Sequence, residues 1–227
     1  MKAVAVIPAH NESERIAATV KAARAIPDVV RVLVVDDAST DDTAERAAAV
    51  GADVLRLERN VGKGAALQSG LGHTRRGRDA VLLLDGDLGD TAAQGALLLA
   101  PVLAGDADMT IARFPKPAKK AGFGLVMRLA RWGIRRFGRA DFEAAAPLSG
   151  QRALTPEAVD AVMPFASGYG VEVALTSRAL RAGLRVVEVE TTMAHAATGR
   201  DVAGFVHRGR QFVDVAKTLL ELRRELR

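Results

Sequence analysis

The sequence predicts an α/β fold, a mostly parallel sheet with helices on both faces, followed by a second half of different character. Two patterns carry this reading. Short apolar runs near residues 2 to 7, 31 to 35, 53 to 57 and 80 to 84 alternate with alanine-rich helical stretches near 12 to 25, 41 to 50, 62 to 72 and 91 to 103. The strand runs are also continuously apolar, as expected of parallel strands covered on both sides. No internal repeat or low-complexity linker divides the 227 residues, so a single domain over 1–227 is expected.

Each element has its own local reason. Met1-Lys2-Ala3-Val4-Ala5-Val6-Ile7-Pro8 has a short apolar stretch with no small-residue cleavage site and reads as a first strand, not a signal peptide. Asn11 is placed to cap the first helix, and Pro27 lies beyond its end. Asp41 or Thr40 caps the second helix, and Gly51 suits its left-handed C-terminal position. The fourth strand, Ala80 to Leu84, runs into Asp85-Gly86-Asp87. Further on, a helical run begins at Glu172 and ends near Gly183, and Gln211 to Arg227 reads as a charged amphipathic helix that could support a homodimer.

Composition narrows the function. Apolar residues make up 49% and charged residues 26%, which is a globular balance. With no cysteine, disulfides, thiolate metal sites and cysteine nucleophiles are excluded, and a cytoplasmic setting fits. No apolar run reaches the length of a membrane span. The net charge of +5 suits anionic substrates, an anionic membrane or nucleic acid. Nucleic acid is not expected, because aromatics are only 4% and no nucleic-acid-binding signature is present.

The chemistry concentrates in loops that follow strands. They are Pro8-Ala9-His10-Asn11-Glu12, then Asp36-Asp37-Ala38-Ser39-Thr40-Asp41-Asp42-Thr43, then Asn60-Val61-Gly62-Lys63-Gly64, then Asp85-Gly86-Asp87. Caps, turns and solvated acids account for any one of them. Four in order on the carboxyl rim of a parallel sheet point to a ligand, because ligands bind there in open α/β sheets. Asp85 and Asp87 are hard oxygen donors suited to a divalent cation shared with a phosphate compound, or else they end a strand in a solvated turn. Gly62-Lys63-Gly64 is not a P-loop, since Leu57 and Gly64 stand where glycine and Ser or Thr are needed. The first strand is not followed by the glycine pattern of dinucleotide binding.

Together these four segments resemble the nucleotide-sugar half of the GT-A glycosyltransferases, closest to family two, including dolichyl-phosphate mannose synthases and glucosyl-3-phosphoglycerate synthases. The resemblance covers residues 1–112, weakens, and resumes from Ser149-Gly150 to about residue 215. It implies a Rossmann-like GT-A sheet, with 1–112 as the nucleotide-sugar half and 113–227 as the acceptor half. It also implies a metal-dependent glycosyltransferase that moves one sugar from a UDP- or GDP-sugar donor. Most of the family inverts at the anomeric carbon, whereas glucosyl-3-phosphoglycerate synthases retain. On this resemblance Pro8, Ala9 and Glu12 line the nucleoside pocket, and Gly86 is among the substrate-binding residues. Asp37 contacts base or ribose, and Lys63 reaches the base or steadies the pocket. Asp85 and Asp87 hold Mg²⁺ or Mn²⁺, with Asp87 the direct ligand. His195, at the end of a late strand, completes the metal set, with His207 in reserve.

The acceptor side leaves more open. Glu172 either serves as base facing the acceptor or complements a helix dipole. Arg152 either binds phosphate or is a solvated surface charge. Residues 116–139 carry Arg128, Arg131, Arg135 and Arg139 at helical spacing and an apolar stripe of Phe123, Met127, Ala130, Ile134 and Phe137, with Trp132 and Lys116, Lys119 and Lys120 nearby. The segment could lie on an anionic membrane and bring a lipid-linked phosphate to the site, making the protein peripheral at the inner face. Alternatively it packs on the core with its arginines in solvent, and the acceptor is a small soluble phosphate. A non-catalytic nucleotide-sugar binding protein is the remaining alternative. Neither transmembrane helices nor a Q-x-x-R-W motif is present, so transfer of a single sugar is expected rather than chain polymerisation.

Overall fold

The computed structural model describes all residues except 1, 75–78, 116–123, 167, 195–201 and 227, and within the last helix the side chains from 211 onward. Seven strands form one sheet: β1 (Ala3–Ala9), β2 (Val29–Asp36), β3 (Asp53–Arg56), β4 (Ala80–Leu83), β5 (Met109–Arg113), β6 (Arg152–Leu154) and β7 (Val186–Glu190). Their order is β3-β2-β1-β4-β6-β5-β7. All pairings are parallel except those of β6, which runs antiparallel to both β4 and β5. The first four strands lie where the apolar runs placed them. The short, reversed β6 has no such run.

The connecting helices are α1 (Ile16–Arg24), α2 (Thr43–Ala49), α3 (Lys63–Gly72), α4 (Gly95–Leu103), α5 (Gly124–Phe137), α6 (Pro156–Val162), α7 (Val171–Arg181) and α8 (Val202–Arg224). Side chains of β1 alternate between two cores, as strand geometry requires. Ala3, Ala5 and Ile7 pack with Ile16, Val20, Leu98 and Leu99 on one face. Val4 and Val6 pack with Leu67, Leu71, Val159 and Leu175 on the other. A third cluster joins α5, α7 and α8 through Ala130, Ile134, Phe137, Val173, Leu180, Val215, Leu219 and Leu222. The apolar face expected to drive self-association of the last helix is therefore used within the chain, though Val213 and Leu220 stay exposed.

Two expected caps are replaced. The first helix starts at Ile16, and Asn11 instead sits in the left-handed region at φ 57 with its side-chain oxygen accepting the Thr40 amide at 2.9 Å. Asn11 thus ties two rim loops together, a role open to Asn because it tolerates positive φ. Asp41 acts two residues before the start of α2, accepting from Thr43 N at 3.0 Å and from Ser13 N at 3.2 Å. Although burial opposes it, hydrogen bonds from Thr43 and Ser13 hold its carboxyl down at a pKa of about 2. Gly51 does take positive φ, at 85°.

Candidate active site

The carboxyl ends of β1 and β4 meet at Gly86. A methyl group there would stand 3.2 Å from Glu12 Cγ, 3.3 Å from Ala9 Cβ and 3.5 Å from Pro8 O, so glycine lets the β4 loop close on the β1 loop. Four residues expected to share a pocket are thus in mutual contact distance. Thr19 fixes the turn beneath: its hydroxyl donates to Gly86 O and accepts from Gly89 N, both at 2.8 Å.

Asp37 is almost fully buried and is spent on architecture. Its two carboxylate oxygens accept from Val61 N at 2.7 Å and Gly62 N at 2.8 Å, which draws the β3–α3 loop over the end of β2. Asp36 accepts from Arg56 Nε at 3.0 Å and Ser39 N at 3.2 Å. A nucleoside contact by Asp37 would be one shared with these amides.

Lys63 opens α3 and reaches across the rim. Its Nζ lies 2.7 Å from Asp85 Oδ1 and 3.0 Å from Glu172 Oε1. Burial works against the ammonium, yet Asp85 and then Glu172 outweigh it and hold its pKa above the ordinary lysine value. Gln151 Nε2 donates to Asp85 Oδ2 at 2.6 Å, so each Asp85 oxygen has a partner. Gly150 packs on this pair so closely that a methyl group would meet Lys63 Nζ at 2.3 Å. Lys63 therefore links the donor rim, through Asp85, to the first turn of α7, which carries Glu172.

The acids around the rim repel one another. Burial, then the charges of Asp87, Asp85 and Asp41, push the Glu12 carboxyl up to a pKa of about 7, against the pull of Arg15. Such an excess of carboxylate suits a divalent cation. Among the described residues no three His, Asp or Glu side chains form a ready cage. His195 lies outside the described residues, as does the side chain of His207.

Arg152 corrects an expectation. It is wholly buried, not solvated, and donates to Ser149 O at 3.0 Å, Thr176 Oγ1 at 2.9 Å and Glu172 O at 3.0 Å. Burial lowers its pKa to about 10, against the favourable charges of Glu172 and Glu188. Its donors are spent holding β6 to α7, so it positions the Glu172 turn and is closed to a ligand. The neighbouring Gln151 is the residue that reaches Asp85. Neighbours in an extended chain face opposite ways, so a one-residue choice decided which was which.

Beside this site lies a cleft of about 1370 Å³, lined by residues that include Leu97, Phe114, Met127, Leu148 and Ser149. Ser149 Oγ is 3.3 Å from Gln151 Oε1, and Gln151 in turn holds Asp85. The cleft therefore begins where the rim carboxylates end.

The family model described as glycosyl transferase family 2 matches residues 4–160, which include every rim loop above. The chain belongs to that family. A glucosyl-3-phosphoglycerate synthase of Mycolicibacterium paratuberculosis is 32% identical over 191 residues, 75% of this chain and 57% of that protein. The chain thus spans less than two thirds of that relative's length. An undecaprenyl-phosphate mannosyltransferase of Micrococcus luteus is 30% identical over 204 residues, 85% of this chain and 83% of that protein. Among solved structures, glucosyl-3-phosphoglycerate synthase from Mycobacterium tuberculosis in complex with Mn²⁺, UDP and phosphoglyceric acid superimposes with TM-score 0.79 at 29% identity. It covers 97% of this chain and 78% of that one.

Proposed function

We propose that this family 2 member is a glycosyltransferase that moves one sugar from a UDP-sugar to a lipid-linked, polyprenyl-type phosphate. The observation that carries the acceptor is the cleft of about 1370 Å³ with Leu97, Phe114, Met127 and Leu148 on its walls. Small-molecule pockets commonly run to about 300–1,000 Å³. This one exceeds that range and presents apolar walls that an isoprenoid chain would cover, whereas a three-carbon phosphate would leave them wet. The similarity to an undecaprenyl-phosphate mannosyltransferase supports this reading. The phosphoglyceric acid bound in the superimposed synthase supports the alternative, a small soluble phosphate.

On the donor side Pro8, Ala9, Glu12 and Gly86 flank the nucleotide. Asp87 is the direct ligand of Mg²⁺ or Mn²⁺, with His195 as its complement. When bound, the cation supplies Lewis-acid charge for the departing diphosphate. Asp85, held by Lys63 and Gln151, orients the donor and shares the cation at most in part. Glu172 pairs with Lys63 at 3.0 Å and faces the same point. A phosphate acceptor is already nucleophilic and needs no base, so Glu172 then acts by positioning Lys63. The exposed arginines of α5 bring the protein against an anionic membrane where such an acceptor resides.

The test is thermal. UDP with Mn²⁺ stabilises by about 2.7 kcal/mol at a hundredfold excess over Kd, a melting shift of about 5–10 °C in a chain of this size. GDP is expected to shift less. Asp87→Ala removes the UDP shift and the transfer of sugar to farnesyl phosphate. The absence of a shift with any nucleoside diphosphate at millimolar concentration overturns the donor assignment.

A further inference from the structure

Among the described residues, the charged side chains lining the cleft are two cations, Arg113 and Arg131, and one carboxylate, Glu190. Arg113 is paired with Glu190 across β5 and β7. That leaves two cations minus one anion, a net single positive charge, and it resides on Arg131. Among the described residues no carboxylate lies within ion-pair distance of Arg131. Its guanidinium is nevertheless fixed: Nε donates to Ala144 O at 2.9 Å and Nη2 to Ala145 O at 3.3 Å. The same turn is gripped from its amide side, where Glu188 accepts from Ala145 N at 3.1 Å and Ala146 N at 2.9 Å. A guanidinium has five N–H donors, and two are used here, so three remain. An exposed guanidinium at the edge of the cleft, oriented by two backbone carbonyls and without a paired carboxylate among the described residues, is placed to receive a phosphate oxygen pair.

We propose that Arg131 is the anion-recognition residue of the acceptor cleft and receives the acceptor's phosphate. This rests on the reading that the cleft takes a phosphorylated acceptor, and it deepens that reading by naming the residue. It also divides the labour among the α5 arginines: Arg131 serves the cleft, while Arg128, Arg135 and Arg136, like Arg139 just beyond the helix, do not line it. The lining reaches from Arg131 to Ser149, whose hydroxyl contacts the Gln151 side chain that holds Asp85. A phosphate on Arg131 therefore stands on the side from which the sugar must be received.

Calorimetric titration of the UDP- and Mn²⁺-loaded protein separates the possibilities. The probes are farnesyl phosphate below its micellar concentration, farnesol and 3-phosphoglycerate. Farnesyl phosphate should bind at least tenfold more tightly than farnesol. Arg131→Gln should erase that difference, a loss of about 10- to 100-fold for a charged hydrogen-bonded contact. Arg131→Lys should restore part of it, and Arg46→Gln on α2 should change nothing. Should the Gln variant fold poorly, farnesyl phosphate must still protect Arg131 of the unaltered protein from phenylglyoxal, read by peptide mass. Arg131-dependent binding of 3-phosphoglycerate alone would keep the phosphate site and remove the lipid acceptor. Tight farnesyl phosphate binding that ignores Arg131, with no protection, would keep the lipid acceptor and overturn the site. Failure of both anions to bind the unaltered protein would also overturn it.

Discussion

The donor rim and the acceptor cleft handle charge in opposite ways. On the rim, Asp36, Asp37, Asp41 and Asp85 are each locked to named backbone amides or side chains within about one residue's reach of the sheet ends. The locks leave a surplus of negative charge that Glu12 registers as a raised pKa. The cleft is mostly apolar and carries one unbalanced arginine. On the reading proposed above, the rim takes a cation and its diphosphate, and the cleft takes a long apolar body with one anionic end. Lys63 is the joint, bonded to Asp85 of one region and Glu172 of the other.

Breaking that joint is expected to have the largest effect. Lys63→Met would leave Asp85 and the buried Glu172 without their shared cation. Removing one partner of a buried pair costs about 3–5 kcal/mol, and the side chain's partial exposure reduces this to roughly 2 kcal/mol or more. Chemical denaturation should show that loss, and transfer should fall with it. A second substitution, Glu172→Gln, should recover part of the stability because one uncompensated charge is gone. A Lys63→Met protein as stable and active as the parent would show that the two regions are not coupled through this residue.

The two regions were also unequally legible in the sequence. The rim loops follow continuous apolar strands, so the Pro8–Glu12 loop and the Asp85-Gly86-Asp87 turn stand at strand ends, as the apolar runs imply. The acceptor side depends on contacts distant in sequence. Arg152 was misread because nothing local announces that the three-residue β6 reverses direction and buries position 152 against α7. Gln151 carries no motif, since an amide has none; its one signal is its place just ahead of β6, facing the other way from Arg152. Lys63 was noticed, but its bridging of residues 22 and 109 positions onward could not be read from a loop. In α5 the two stripes were visible and their uses were not. Ala130, Ile134 and Phe137 go into the core, Met127 lines the cleft, and the large apolar side chains left in solvent are Leu125 and Trp132. Phe123 and the lysines at 116, 119 and 120 lie outside the described residues.

That use of the apolar stripe sharpens what α5 can contribute to a membrane. With most of its apolar face committed to α7 and α8, attraction to lipid must be chiefly electrostatic. Each arginine near an anionic surface contributes about 1 kcal/mol. Replacing Arg128, Arg135 and Arg139 with Gln should weaken sedimentation with phosphatidylserine vesicles by about 100-fold at low salt. Binding of the parent should fade as ionic strength rises and the Debye length shrinks. Trp132→Ala should cost less, since a single exposed ring is involved. UDP binding should be unchanged in all of these variants. Salt-insensitive sedimentation would mean that apolar insertion dominates, and no sedimentation at low salt would leave the cleft to be filled from solution.

The smallest expected effect concerns protons on the rim. Glu12 has a pKa of about 7 in the folded chain, above its ordinary value of 4.5, because it is partly buried beside Asp87, Asp85 and Asp41. A raised carboxyl pKa means that the folded state binds more protons than the unfolded state between those two values. Without divalent cation, stability should therefore fall as pH rises from about 4.5 to about 7, and Glu12 should add no further slope above that. Solvent screening limits the loss to on the order of 1 kcal/mol. Denaturant titrations at pH 5 and pH 8 measure it, and Glu12→Gln should remove the Glu12 share of the difference. A cation joining the rim offsets the charges of Asp87 and Asp85, so the Glu12 pKa should drop and its proton should leave. UDP–Mn²⁺ binding near pH 6.5 (a pH chosen just below about 7) should then release protons, visible as a buffer-dependent binding enthalpy, and should tighten as pH rises through 7. Equal pH slopes in the parent and Glu12→Gln proteins, with no proton release, would mean that the rim carries no surplus charge for a cation to relieve. The contrast between the two regions would then rest on apolar shape alone.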